Sequence, residues 1–470
     1  MAETVLELAK LISDSAETIN KACTENGTSV PSLDAPFDPR TEAFRGHADV
    51  SIAVNTAISA AYQLIATLRP APASIFQLAT SFLHSSALRV AFEANVSRII
   101  KEAGGKGLHI KDIAAKADLD PKKLVRILRF LATHHFFGEV EPDVFANNRL
   151  SSLLDIGKPL SEIQSNPITK YEGTSGLQAV LSLMLDDSHK ASAYAWETLH
   201  DSKTAFSEEP AESAFSTYIG NGKTYWAWLE EPGNAKKEAA MSVGMGTGQT
   251  ASADAINQGF DFKSLNENDH VVDIGGGIGN TALSIARGNS SVRITVQDRA
   301  AVIKDGIEKW KQSFPEALSS GRVTFQEGDF FAPQSIKDAS VFILRHILHD
   351  WSDKYCLQIL SHLRAAATPS TKLLVMDSIM HYVCADTANV SGGMKNDAPA
   401  PLLPNWGAAG AQLYIADLAM LMVHNAQERT LPDLRELLKR AGWKIVRVYP
   451  DEGGLGSHGT LGPQVEAVPI

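Results

Sequence analysis

The chain has 470 residues, 44% of them apolar and 21% charged, with a formal net charge of −11. That length argues for more than one packed core, and that balance for a soluble globular enzyme instead of a disordered or fibrous chain. The negative charge argues against nucleic acid as the main partner, and the three scattered cysteines (Cys23, Cys356, Cys384) suit neither a disulfide framework nor a zinc site.

In chain order, residues 3 to 21 predict an amphipathic helix with Val5, Leu8, Leu11 and Ile12 on one stripe. The acids of this start, with no basic lead into a long apolar run, do not read as a signal peptide. No stretch is expected to span a membrane, and the cytoplasm is the expected compartment. Gly27, Pro31, Pro36 and Pro39 then interrupt the pattern. Three further helices are expected between Ser51 and Ala103, the first two separated by Pro70 and Pro72 and the third beginning near Ala87. Ala53, Ala57, Ala60, Ala61, Leu64 and Ile65 leave the first apolar over much of its circumference, which calls for burial, for instance against a second subunit.

Ile110 to Ala117 predicts a short helix, and Asp120-Pro121 starts another with Leu124, Ile127, Leu128 and Leu131 inside. Phe136 to Phe145 alternates about Pro142-Asp143 like a hairpin. The sum is a winged-helix pattern. Lys122, Arg126 and Arg129 give its second helix the basic face of a DNA reader, although in an acidic chain a solvated face is the simpler account. Tyr194 to Gln258 predicts a helical linker containing Trp196, Tyr225, Trp226, Trp228 and a Met- and Gly-rich run at Met241 to Gln249.

From His270 strands and helices alternate, the pattern of an α/β fold with a doubly wound, mostly parallel sheet. Strands are predicted at 271–274, 293–298, 323–327, 340–345 and 372–377. A low-order insertion follows from Met380 to Gln412. Thr430 caps a helix carrying Leu431, Leu434, Leu437 and Leu438 to Gly442, and the strands Ile445–Tyr449 and Gln464–Val468 close the sheet.

The rest is organised around Val271-Val272-Asp273-Ile274-Gly275-Gly276-Gly277-Ile278-Gly279. A buried strand, a glycine turn and a helix N-terminus let a polar cofactor approach main-chain atoms. The glycine spacing is GxGxG, and Asn280 stands where a third dinucleotide glycine would fall. Asp273 would repel a pyrophosphate but could face an ammonium. The next strand ends in Asp298, placed about twenty residues on to accept ribose hydroxyls. Asp273, Asp298, Asp329, Arg345 and His349 all fall at carboxyl ends of predicted strands, where such sheets bind ligands.

Together the DIGGGIG turn, Asp298, Gly328-Asp329-Phe330-Phe331, His346-Ile347-Leu348-His349-Asp350-Trp351-Ser352-Asp353, and Asn425 with Glu428-Arg429-Thr430 resemble the S-adenosylmethionine-dependent O-methyltransferases of the plant caffeic-acid and fungal polyketide type. The resemblance is strongest from Val271 to Thr430. It implies a homodimer with a dimerisation domain at residues 1–155, a linker contributing to the substrate pocket at 156–262, and a cofactor-binding catalytic domain at 263–470. It implies that Asp273, Gly275, Gly276, Gly277, Asp298, Asp329, Phe330 and Arg345 hold S-adenosylmethionine. His349 would be the general base, oriented by Glu428 and Asp377, with Met245 and Asn425 facing a small aromatic substrate.

Three departures stand out: His346 replaces a Trp of the plant members, Arg345 a Lys, and Asp377 a Glu. Asp350 is expected to shape the following helix start. No carboxylate cluster recommends a metal, and neither nucleic acid nor membrane is an expected partner. The alternatives are transfer to nitrogen, an NAD-linked dehydrogenase, and a winged-helix DNA-binding regulator.

Overall fold

The computed structural model describes residues 2–246, 256, 259–385, 398–449 and 463–470. It packs as two units that interleave along the chain, where the sequence reading laid three domains end to end. Unit 1 is Met1–Lys190, Trp226–Thr247 and Ala398–Ala409; unit 2 is Ala191–Tyr225, Gly248–Asp397 and Gly410–Ile470. Residues 386–397 of the expected insertion, and 247–249 of the Met- and Gly-rich run, lie outside the described residues.

Unit 1 begins with the long helix α1 (Ala2–Asn26), followed by α2 (Ala48–Leu68), α3 (Ala71–Ala79), α4 (Phe82–Glu93) and α5 (Val96–Glu102). Four helices therefore stand between residues 48 and 102 where three were expected. The start expected near Ala87 falls inside α4, and the breaks come instead at Thr80, whose backbone caps α3, and at Ala94, which caps α4. A second correction concerns α2, whose 21 residues are long and apolar enough by length and composition to cross a membrane. Its inner face packs as in a globular core: Val50 meets Cys23 and Phe44, and Ala60 meets Leu8 and Leu402. The segment Ala398–Ala409 is tied to α2 by Ser59 Oγ donating to Trp406 O (2.6 Å) and Gln63 Nε2 donating to Pro401 O (2.8 Å). Helix α3 has no buried residue, and Ile75, Phe76 and Leu78 are each about 70% exposed or more.

The winged-helix pattern is present: α6 (Ile110–Ala117), α7 (Pro121–Thr133), and strands β1 (Leu108–His109), β2 (Gly138–Glu141) and β3 (Val144–Ala146) in the order β1-β3-β2. Asp120 starts α7 by accepting the N–H groups of Lys122 and Lys123. Leu124, Leu128 and Leu131 are its core stripe. Arg129 is spent within the wing, paired with Glu139 and Asp143, so the expected basic face is partly neutralised by its own hairpin.

Unit 2 holds strands β4 (His270–Ile274), β5 (Arg293–Asp298), β6 (Val323–Glu327), β7 (Val341–Arg345), β8 (Lys372–Met376), β9 (Ile379–Met380), β10 (Arg429–Thr430), β11 (Trp443–Tyr449) and β12 (Gln464–Pro469). Seven of them form one sheet, β11-β12-β8-β7-β4-β5-β6, with β4 to β8 parallel and β12 antiparallel to β8. Side chains alternate between two cores, as the strand period requires. Val272, Ile274, Phe342, Leu344, Leu373 and Val375 face one. Val271, Ile294, Val296, Val341, Ile343, Leu374 and Met376 face the other. Strand β4 lies between β5 and β7, so strand order reverses beside it, and the carboxyl edge at such a reversal is where sheets of this kind bind ligands. The small parallel pair β9–β10 aligns Arg429 with Ile379, which carries Glu428 toward the loop after β8.

Candidate active site

At the end of β4 the chain turns through Gly275 and Gly277, both at positive φ. A Cβ on Gly276 would lie 2.6 Å from the Asp273 carboxyl carbon, so only glycine lets the turn close over that side chain. At Gly277 a Cβ would meet nothing within 4 Å, and this open side faces away from the packed turn. The Gly277 N–H donates to Asp298 Oδ2 and the Arg299 N–H to Oδ1, each at 2.8 Å. Both oxygens keep further lone pairs for a diol. Asp329 is exposed beyond β6 and accepts the Phe331 N–H at 2.9 Å, which fixes the turn presenting Phe330.

Asp273 and Arg345 sit deeper than a ligand-facing role suggests. Asp273 is 1% exposed, and burial, with Asp298 adding and Arg345 opposing, pushes its carboxyl up to about 7. The Arg345 guanidinium donates to Thr281 Oγ1 at 3.1 Å, at the start of the helix Asn280–Gly288. Burial pulls Arg345 down, and Asp273 opposes that. Asp273 Oδ2 and Arg345 Nε are buried without a hydrogen-bond partner among the described residues. An open glycine turn, a helix N-terminus, a diol-ready carboxylate and two orphaned polar atoms together suit a polar adenosine cofactor.

The second half of the site follows β7. His346 takes a left-handed φ of 54° and turns the chain into the short helix Leu348–Asp350. His349 Nδ1 lies 2.7 Å from Glu428 Oε1, and His349 Nε2 lies 3.6 Å from Asp350 Oδ1. With the Nδ1–H donated to Glu428, Nε2 is the end left to take a proton. Glu428 is buried; its N–H donates to Asp417 Oδ1 (2.8 Å) and its Oε2 has no partner among the described residues. Asp377, also buried, accepts the Ile347 N–H at 3.3 Å.

Burial disfavours charge on His349, but Asp350, the Glu428 hydrogen bond and Asp377 outweigh it and raise the imidazole to about 10. Burial likewise raises Asp350 to about 6, with Asp377 and Glu428 adding and His349 opposing. Asp350 was expected only to shape a helix start. Its carboxylate instead faces Nε2 of the imidazole and favours the protonated ring, a contact no residue spacing announces.

Arg429 is the other residue that sequence reasoning left without a role. Its guanidinium donates to Leu348 O (2.7 Å), Trp351 O (2.9 Å) and Asp353 Oδ1 (2.9 and 3.0 Å). It thereby clamps the His349 turn to the segment carrying Glu428. The only prior signal was its place beside Glu428 in the shared motif. Asn425, expected to face substrate, spends its amide hydrogens on Ser207 O and Glu209 O (2.9 and 3.1 Å) and so ties down that loop. Met245 ends the helix Ala235–Gly244 in unit 1 and is 43% exposed.

Residues 196–395 match the O-methyltransferase domain family, and residues 76–155 the O-methyltransferase dimerisation domain. A 4-O-methyltransferase of Phanerochaete chrysosporium is 40% identical over the full length of both chains. The chain belongs to the class II, S-adenosylmethionine-dependent O-methyltransferases. S-adenosylmethionine is its cofactor, and the dimerisation domain supports a homodimer. An O-methyltransferase of neocarzinostatin biosynthesis, solved with S-adenosyl-L-homocysteine and 1,4-dihydroxy-2-naphthoic acid, matches with a TM-score of 0.58 at 21% identity, covering 83% of this chain and 96% of that one. A pericyclic reaction enzyme matches with a TM-score of 0.67 at 14% identity, both chains being covered in full. At such identities these likenesses show the fold alone, and the fold carries more than one chemistry.

Proposed function

We propose that this enzyme methylates a hydroxyl of a small aromatic metabolite, with His349 as the general base. The observation that carries this reading is the His349–Glu428 pair, 2.7 Å apart at the carboxyl edge of the sheet. S-adenosylmethionine supplies an already activated methyl group, so the protein's tasks are alignment and removal of one proton. A phenol with a pKa of about 10 is a poor nucleophile at neutral pH until its proton is taken. Glu428 holds the imidazole in the tautomer whose Nε2 can take it, and Asp377 adds negative charge that stabilises the imidazolium formed. An aromatic acceptor fits the naphthoic acid bound by the neocarzinostatin enzyme, and transfer to oxygen fits the O-methyltransferase naming of the Phanerochaete relative.

Screening phenols and amines with labelled S-adenosylmethionine tests the acceptor class. Methylation confined to amines would overturn the hydroxyl reading. Near wild-type turnover by His349→Ala on the preferred phenol would overturn the base.

A further inference from the structure

His346 stands next to the proposed base and is used by nothing described so far. It follows the last residue of β7, and its left-handed φ of 54° throws its ring to the same edge as His349. The two rings lie 5.4 Å apart between centroids, tilted by 39°. The ring is partly exposed, yet among the described residues no hydrogen bond is made by either of its nitrogens. Burial, with His349 and Arg345 adding their charge, holds it far below the ordinary histidine range, so it stays neutral. A neutral imidazole has one N–H donor and one acceptor nitrogen, and here both are left to solvent at the proposed reacting edge, where a ligand can meet them. Non-glycine residues at positive φ are strained, and such strain gathers where a side chain must be aimed.

We propose that His346 is a specificity-determining residue that hydrogen-bonds a second oxygen of the acceptor, carried on the ring carbon next to the hydroxyl being methylated. This rests on the reading of His349 as the base. Two imidazoles this close reach two oxygens on neighbouring carbons, whereas oxygens across a ring point apart. The preferred substrates are then phenols with an ortho hydroxyl, alkoxyl or carbonyl oxygen. The oxygen matches a site nitrogen that would otherwise stay unpaired in the complex, so its absence is penalised mainly in KM.

The test compares 2-methoxyphenol with 2-ethylphenol, which share shape and differ in the oxygen, using labelled S-adenosylmethionine and the full-length enzyme. Wild type is expected to favour the methoxyphenol by about tenfold or more in kcat/KM, and His346→Phe to bring the ratio near one through KM. His346→Asn and His346→Gln place an amide near the former Nδ1 and Nε2, and one of them is expected to recover the preference. His346→Gly, free to adopt positive φ, substitutes for the Phe variant if that one does not fold. The proposal is overturned if wild type shows no preference or handles neither phenol. It is equally overturned if the preference survives in His346→Phe, or is lost in Asn and Gln alike, which would make the effect one of shape. His349→Ala separates the two readings. It should lower turnover on both phenols and leave their ratio unchanged, whereas full turnover with an intact ratio would sink the base alone.

Discussion

The two halves of this site are built on opposite principles. The cofactor edge comes from two contiguous stretches, Val271–Gly279 and Arg293–Asp298, and acts largely through backbone shape. The proposed proton-handling edge draws His349 and Asp350 from the loop after β7, Asp377 from the loop after β8, and Glu428 from just before β10. Its chemistry exists only when those pieces meet. Two histidines make the point: burial takes His424 down to about 3, with His349 adding, whereas the same force on His349 is overwhelmed by its carboxylates. Shape can be written locally in a chain; a protonation state is collective.

The sharpest way to break that division is His349→Ala. It should lower kcat by about 10² to 10⁴, the usual reach of general-base catalysis, while calorimetry finds S-adenosyl-L-homocysteine affinity nearly unchanged. A phenol acidified by electron-withdrawing groups is already partly ionised and should regain much of the rate on the variant. A large loss of cofactor affinity would mean that the two halves are one.

Next in size is Arg429→Met. Removing the clamp leaves two loop carbonyls and Asp353 without their partner, at about 3 kcal/mol, the low end for breaking a buried pair because Asp353 is partly exposed. Denaturant unfolding would read it, and kcat should fall as the His349 turn loosens. Stability unchanged within error would show that packing alone holds the turn.

On the other edge, Asp298→Ala should weaken S-adenosyl-L-homocysteine binding by about 1.5 to 3 kcal/mol, the scale of hydrogen bonds to a charged group. Because Asp298 also braces the turn through the Gly277 N–H, Asp298→Asn is expected to lose less. Equal affinity in wild type and Asp298→Ala would remove this residue from the site.

What was legible in the sequence follows the same line. The glycine turn, the strand alternation, Asp298 and the winged helix are local patterns, and each is found where the spacing put it, with strand ends moved by a residue or two. His349 and Glu428 were legible only through a shared motif, since 79 positions separate them. The facing of Asp350 onto Nε2, the clamp made by Arg429 and the use of Asn425 to hold a loop are through-space facts that no period or spacing encodes. Likewise α2 is apolar through its Ile, Val and Leu residues together with its alanines, so it counts as span-like by composition while packing on α1 and Leu402.

The smallest expected effect tests the collective nature of the proton edge most directly. His349 held near 10 carries its proton at neutral pH and must lose it before it can act as a base. Its folded value lies above the ordinary one of about 6.5. Any stability it lends is therefore complete below that ordinary value and fades as pH climbs through the folded one. Activity runs the other way: kcat/KM should rise as pH climbs from neutrality toward 10. The charge of Asp350 gives the largest single upward push on the imidazole, so Asp350→Asn should shift that rise to lower pH. Comparing the two enzymes on one acceptor cancels the acceptor's own ionisation, and the position of the rise is separable from its height. Glu428→Gln should shift it in the same direction while also lowering the plateau, because it loses the orienting hydrogen bond as well as the charge. Superimposable profiles for wild type and Asp350→Asn would mean that the carboxylate across from Nε2 does not set the proton affinity of His349.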